Sequence, residues 1–324
     1  MPAYTGDSGQ RKEAMTMKVI IAGGTGSLGS SLSWRLAEQG AEVVVLTRSP
    51  RADAAAHGAR DVAWDARTPG PWTAELEADG PVAVVNLAGK LVDARPTPRG
   101  IAELTRSRVE ATRVLVEASR GLSRPVDRWV QASTTAIWSD AGDERLTEDS
   151  PILVGLPQMT GVAEPWERAA HGANAEHVTV LRTSIVLDAG TSALERLLLP
   201  VKLGLGGPVG SGRQWFSWIH VEDWLRIVVA TLGLGEPPLP DGVLVAASPR
   251  PVCNAELMRT LRQVSGRRIG LPTPTPLMRL AAVVLRTDPE LALTGRYTTS
   301  RVLEAAGFEF QYPQLEGALE DLLG

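Results

Sequence analysis

The chain has 324 residues, 44% of them hydrophobic, which is enough for one large core with a smaller one beside it. A formal net charge of -4, from 33 basic against 37 acidic residues, speaks against the basic surface that a nucleic-acid partner needs. Cys253 is the only cysteine, so an intrachain disulfide and a cysteine-based metal cluster are both excluded.

No apolar run reaches the roughly 18 residues of a membrane span, and the start lacks the apolar segment of a secretory signal. A cytoplasmic protein is expected. Residues 1–16 are polar and read as a disordered extension. Residues 18–22 then read as a buried parallel strand, and 30–39 as a helix. Between them stands Gly-Gly-Thr-Gly-Ser-Leu-Gly at 23–29. Strand, glycine turn and helix in that order make a nucleotide-binding fingerprint credible. Gly23 would allow the tight turn, Gly26 the close approach of a pyrophosphate, and Gly29 close helix–strand packing. Thr25, Ser27 and Leu28 complete the cradle, and the phosphates would sit on the helix N-terminus.

Residues 41–46 form a second strand that ends at Thr47-Arg48. An acidic residue at that place would grip the ribose diol of NAD. Arg48 instead offers a guanidinium fork to a 2′-phosphate, so NADP is the expected cofactor. Residues 82–87 are a further strand. It leads into Asn86, Ala88 and Gly89, where backbone can lie along the nucleotide, and then to Lys90. Asn86 is expected to brace the local backbone. Of the lysines Lys12, Lys18, Lys90 and Lys202, only Lys90 falls at the crevice. A helix over 101–118, a strand over 129–132 ending in Ser133-Thr134, a helix over 163–170 and a strand over 178–181 ending at Arg182, which is expected to contact the cofactor, follow.

This alternation predicts an α/β fold, a doubly wound Rossmann-like parallel sheet, with ligands beyond the carboxyl ends of its strands. The second half is richer in glycine and in turns. A smaller mixed α/β substrate-binding lobe is expected from 186–214 with 235–324. The nucleotide-binding domain would comprise 17–185 with 215–234. Helices are read at 254–265 and 276–285, and a helix-then-strand pattern over 299–308.

The chain resembles the extended, or atypical, short-chain dehydrogenase/reductase superfamily. Within it, it is most similar to an uncharacterised sugar-epimerase-like family with a C-terminal domain of unknown function. The resemblance is carried by residues 23–29, Arg48, 86–89, Ser107-Arg108, Trp166-Glu167, 181–183, 203–223 and the tail 254–323. It implies an NADP-dependent oxidoreductase or epimerase. The superfamily's usual Tyr-x-x-x-Lys pair is missing. The tyrosines are Tyr4, Tyr297 and Tyr312, and Ser8, Arg301 and Glu316 stand four positions after them. Aligning Trp166-Glu167 with the family puts Pro157 and Gly161 near the pair's positions. The resemblance makes Thr134 the equivalent of the catalytic Ser/Thr, with Ser133 as the register alternative.

A replacement acid or base must come from elsewhere. His220 has a suitable ordinary pKa, but it also precedes a helix, where Glu222 and Asp223 favour the free N–H groups. Its two roles stay open. None of the histidines falls in a metal-ligand spacing, so no metal is expected. Trp138, Trp166, Trp215 and Trp218 could supply apolar contact to a substrate, and Arg213 and Gln214 could hold its polar groups. The leading reading is an NADP-dependent reductase or dehydrogenase of a small carbonyl or alcohol, with an aromatic or specialised metabolite as substrate. A non-redox isomerase, cyclase or dehydratase on the same fold is the alternative, and an inactive NADP-sensing or interaction protein is the third. Partners other than the small molecule are not implied, and the oligomeric state stays open.

Overall fold

The structure is a computed structural model and describes residues 16–92, 96–285 and 288–324. The expected extension over 1–16 lies, but for Thr16, outside the described residues. In chain order the elements are β1 (Lys18–Ala22), α1 (Ser27–Glu38), β2 (Glu42–Thr47), β3 (Arg60–Ala63), β4 (Val82–Asn86), α2 (Pro98–Arg120), β5 (Val126–Thr134) and β6 (Arg145–Leu146). Then come α3 (Thr160–Ala169), β7 (Ala175–Thr183), β8 (Ile185–Leu187), α4 (Ser192–Lys202), β9 (Trp215–Phe216), β10 (Trp218–His220) and α5 (Val221–Thr231). The chain ends with β11 (Gly242–Ala246), β12 (Val252–Cys253), α6 (Asn254–Val264), α7 (Thr275–Leu285), α8 (Glu290–Leu293), β13 (Tyr297–Thr298), α9 (Arg301–Ala305) and α10 (Leu315–Leu323).

A seven-stranded parallel sheet in the order β11-β7-β5-β4-β1-β2-β3 organises the chain. Its central strands are apolar on both faces, as a doubly covered sheet requires. β1 shows why. Val19 and Ile21 pack with Leu32 and Leu36 of α1 and with Trp224 and Val228 of α5. Ile20 and Ala22 face the other way, to Val114 and Leu115 of α2 and to Trp64 and Trp72. A separate core joins α4, α6 and α10 through Leu194, Leu198, Leu257, Leu261, Leu315 and Leu319, with Trp218 among them.

The division of the chain differs from the expectation at two places. Residues 242–246 pair in parallel with β7 and extend the large sheet, whereas 235–324 was assigned to the smaller lobe. The strand is short, and its partner lies some 60 residues back, so only the assembled sheet shows where it belongs. Trp215 and Phe216 were assigned to the nucleotide domain but pair antiparallel with β12. The tail over 299–308 makes one short helix, α9, and no strand follows it. Phe308 instead caps the core beside Leu303.

The amino end of β1 is tied by charge. Lys18 Nζ lies 2.8 Å from Glu75 Oε2, and the Arg60 fork holds both oxygens of the same carboxylate. Arg60 and then Lys18 hold the Glu75 carboxyl at about 2, well below its ordinary value. A depressed carboxyl contributes stability that is complete above its unfolded value and fades as pH falls toward the folded one. Replacing Glu75 with Gln should therefore cost about 1–2 kcal/mol at neutral pH. The difference from the wild type should vanish as urea unfolding is repeated from pH 5 down to pH 2.

Candidate active site

The glycine turn lies where β1 meets α1. Gly23 has φ +82°, and a side chain there would meet the Leu87 carbonyl beyond β4 at 2.9 Å. Gly29 is closed more tightly, since a Cβ would stand 2.5 Å from Gly24 Cα. These two positions therefore require glycine. α1 begins at Gly26 without a side-chain cap and without an acidic residue in its first turn. Thr97, His220 and Ser300 cap α2, α5 and α9 with their side chains, whereas α3, α4, α6 and α10 start without a side-chain cap as α1 does. The α1 start thus presents unsatisfied backbone N–H groups to an anion. Thr25, Gly26 and Ser27 are exposed, and Leu28 turns into the core. The Ser27 hydroxyl donates to Asp188, 3.0 Å away.

Arg48 follows β2, is exposed and makes no hydrogen bond or ion pair among the described residues. Arg51, close by, is not comparable, because Asp61 takes its backbone N–H and both sides of its fork. Beyond β4, Asn86 is completely buried. Its amide donates to Thr112 and Gln131, and its oxygen accepts the Ala88 N–H. It braces the turn, as expected. Lys90, open in the sequence between a ligand phosphate and solvent, pairs its ammonium with Glu103 at 2.8 Å on the exposed surface. Gly89 abuts the Arg108 side chain.

Several expected ligand contacts are engaged within the protein. Arg182 is buried, and its Nε and Nη2 hold the two oxygens of Glu167 at 2.9 and 3.0 Å. Ser133 donates to the same carboxylate at 2.5 Å. Arg182 also lies over the Trp138 ring, 4.9 Å from its centre. Ser133 and Arg182 therefore fix α3 to the ends of β5 and β7, with the Ser133 proton and two of the Arg182 donors used within the protein. Thr134 differs from its neighbour. It is partly exposed, and its Oγ1 accepts the Ala136 N–H. An accepting hydroxyl still has its own proton to donate.

His220 also settles into structure. Its Nδ1 accepts the Glu222 N–H and so caps α5, which puts the ring proton on Nε2, 3.2 Å from Asp321. The ring stacks on Tyr312 at 3.9 Å. Burial lowers its pKa against the opposing charges of Asp321 and Asp223, and keeps the ring neutral. Nδ1 is used as the helix cap, while Nε2 approaches Asp321 without a hydrogen bond that meets ordinary geometry.

The tryptophans divide in the same way. Trp218 is wholly buried and donates to the Arg250 carbonyl. Trp138 is buried and donates to the Ser150 carbonyl. Trp166 is buried beneath Arg108. None of the three offers a ring face to a ligand. Trp215 is only half-buried, stacked on Tyr297 at 4.6 Å with its indole N–H on Asp143. The Gln214 amide donates to the Val209 and Ala292 carbonyls, so it fixes the loop. Arg213 is exposed, with no side-chain partner among the described residues.

Two features were not singled out for roles in the sequence. Arg108 is buried with no ion pair among the described residues, and burial alone lowers its pKa to about 10. It remains a cation at neutral pH. Its place in the family-like Ser107-Arg108 stretch was the available signal. Ser139 has φ +53°, an uncommon conformation for a residue with a side chain. Its hydroxyl accepts the Leu156 N–H and meets the Thr160 hydroxyl at 2.7 Å, tying this bend to the start of α3.

Residues 19–240 match the NAD dependent epimerase/dehydratase family, and 273–322 match a domain of unknown function, DUF1731. The chain belongs to the NAD dependent epimerase/dehydratase family. The human epimerase family protein SDR39U1 is 32% identical over 95% of this chain and all of its own length. YfhF, an epimerase family protein of Bacillus subtilis, is 30% identical over 95% of this chain and 98% of its own. A crystal structure of the human protein, isoform 2, with NADPH superposes with a TM-score of 0.80 at 31% identity, covering 94% of this chain and 99% of that one.

The family's fold thus stands here with an internal ion pair in its crevice. Replacing Glu167 with Ala would leave Arg182 buried and uncompensated. It should cost about 3 kcal/mol in urea unfolding, and Ser133→Ala much less, because the ion pair survives there.

Proposed function

We propose that this chain is an NADP-dependent oxidoreductase acting on a small carbonyl or alcohol. The observation that carries the reading is the exposed, unengaged Arg48 beside a helix start that lacks its own cap. The glycine cradle leaves room for a pyrophosphate on backbone N–H groups, and the Arg48 fork matches a 2′-phosphate at the end of β2. A similar chain solved with NADPH supports the same choice. NADP bound there would supply or accept a hydride at its nicotinamide.

The protein's own part is to hold and polarise the substrate. Thr134, at the end of β5, would donate a hydrogen bond to the substrate oxygen while the Ala136 N–H holds its Oγ1. Trp215 would give a half-open aromatic wall, and Arg213 a cation at the rim. Thr134 cannot by itself act as the acid or base, so in reduction the substrate oxygen would take its proton from solvent through water, and in oxidation would return it the same way.

Arg48→Ala should weaken NADPH at least tenfold and leave NADH nearly unchanged, as read by calorimetric titration of both. Equal losses would remove the 2′-phosphate assignment. With a carbonyl substrate found by following NADPH absorbance, Thr134→Val should lower kcat by about 10²–10³-fold. Thr134→Ser, which keeps the hydroxyl and the cap, should retain most of the rate. Full turnover by the valine variant would exclude Thr134 from the chemistry.

A further inference from the structure

Three arginines converge on α3. Arg182 is neutralised by Glu167. Arg108 lies over Trp166, and Arg296 reaches the residue before the helix, with Nη2 4.0 Å from Met159 Sδ. The other carboxylate of α3, Glu164, pairs with Arg168 of the same helix. Around α3, Arg108 and Arg296 therefore stand without an ion pair among the described residues, and Asp140 is the carboxylate whose charge acts on Arg296.

Arg296 is held in place from its backbone. Its N–H donates to the Trp215 carbonyl at 3.2 Å, and its carbonyl accepts the Ser217 hydroxyl at 2.7 Å. That hydroxyl oxygen also accepts the Thr298 N–H. The preceding Gly295 lies so close to Trp215 that a Cβ would stand 2.4 Å from its nitrogen. Tyr297 stacks on Trp215, while the Arg296 side chain turns to Met159. Its Nε is enclosed and has no hydrogen-bond partner among the described residues, yet the residue as a whole keeps partial access to solvent. Asp140, whose charge acts on it, is exposed, and its carboxylate takes the Gly295 N–H. Burial lowers the Arg296 pKa to about 10, so the guanidinium is charged at neutral pH.

A guanidinium whose Nε is enclosed and lacks a hydrogen-bond partner, in a residue with no ion pair among the described residues, is costly to the fold. A ligand anion would relieve that cost through parallel charge-assisted hydrogen bonds. Met159 stands between Pro157 and Gly161, near which the family's tyrosine and lysine would fall. We propose that Arg296 recognises a carboxylate or phosphate group of the substrate, in the space beside α3 that the missing pair leaves. The inference rests on the oxidoreductase reading and gives it a substrate class, small anionic carbonyl compounds. It also gives a task to the region matched to a domain of unknown function, which supplies Arg296.

The test uses the full chain with NADPH bound and three probes: benzoylformate, its neutral methyl ester and inorganic phosphate. Binding is read from tryptophan fluorescence. The wild type should bind at least one of the two anions at least tenfold more tightly than the ester. Preference for benzoylformate identifies a carboxylate subsite, and preference for phosphate a phosphate subsite. Arg296→Met should abolish the preference, leave NADPH affinity within twofold by calorimetry, and keep or raise the thermal midpoint, because Arg296 has no ion pair among the described residues to lose. No anion preference in the wild type would overturn the proposal. So would a preference that survives in Arg296→Met, or a tenfold loss of NADPH affinity in that variant. If Arg296→Met does not fold, Arg296→Lys decides, since it keeps the charge and loses the fork. A fall of at least threefold in the preference supports the proposal, and an unchanged preference overturns it. Absence of NADPH oxidation with these probes would count against the oxidoreductase reading, while the anion preference is measured independently of turnover.

Discussion

The ion pair between Glu167 and Arg182 joins the parts of the crevice that matter. It is bidentate and nearly closed to solvent, and it ties α3 to β7 while Ser133 ties the same carboxylate to β5. Such a pair loses most of its hydration on burial and adds little net stability by itself. Its effect is positional. With α3 held at this distance, Met159 and Trp166 stand where Arg296 and Arg108 can reach them. Trp138 is pinned under Arg182, and Thr134 is left at the strand end with its hydroxyl proton unassigned.

The arrangement shows how the fold can stand without the superfamily's usual proton-transfer pair. Pro157 and Gly161 offer no side-chain acid or base. The bend before α3 is instead held by hydroxyls, with Ser139 bonded to Leu156 and Thr160, and Thr160 bonded to the Ile137 carbonyl. The C-terminal region reaches the same place from the other side. Its strand β13 pairs with β6, and Tyr297 of that strand stacks on Trp215. His220 and Asp223 are used to fasten that region. His220 stacks on Tyr312, and the buried Asp223 carboxylate accepts the Gln311 and Tyr312 N–H groups. The acid–base candidate His220 and its neighbour Asp223 thus serve as fasteners between the sheet and the tail.

What the sequence by itself determined is local. The strand, glycine turn and helix over residues 18–38 follow from apolar runs and from backbone conformations that only glycine adopts freely. The place of Arg48 follows from where its strand ends, and the bracing role of Asn86 from its place in a tight turn. The parallel sheet follows from the alternation of strands and helices. Partner choice was decided only by the tertiary structure. Ser133 and Glu167 are 34 residues apart, Gln214 and Ala292 are 78 apart, and Arg296 and Met159 are 137 apart. A hydroxyl, an amide or a guanidinium has the same composition whether it faces a ligand or a neighbour. Burial likewise separated Trp218 and Trp138 from Trp215, although all three lie in segments with similar aromatic character. Short-range pattern sets the backbone, because its hydrogen bonds and dihedral limits are local. Whether Arg296 finds an ion pair depends on every carboxylate that the folded chain brings near it, or fails to.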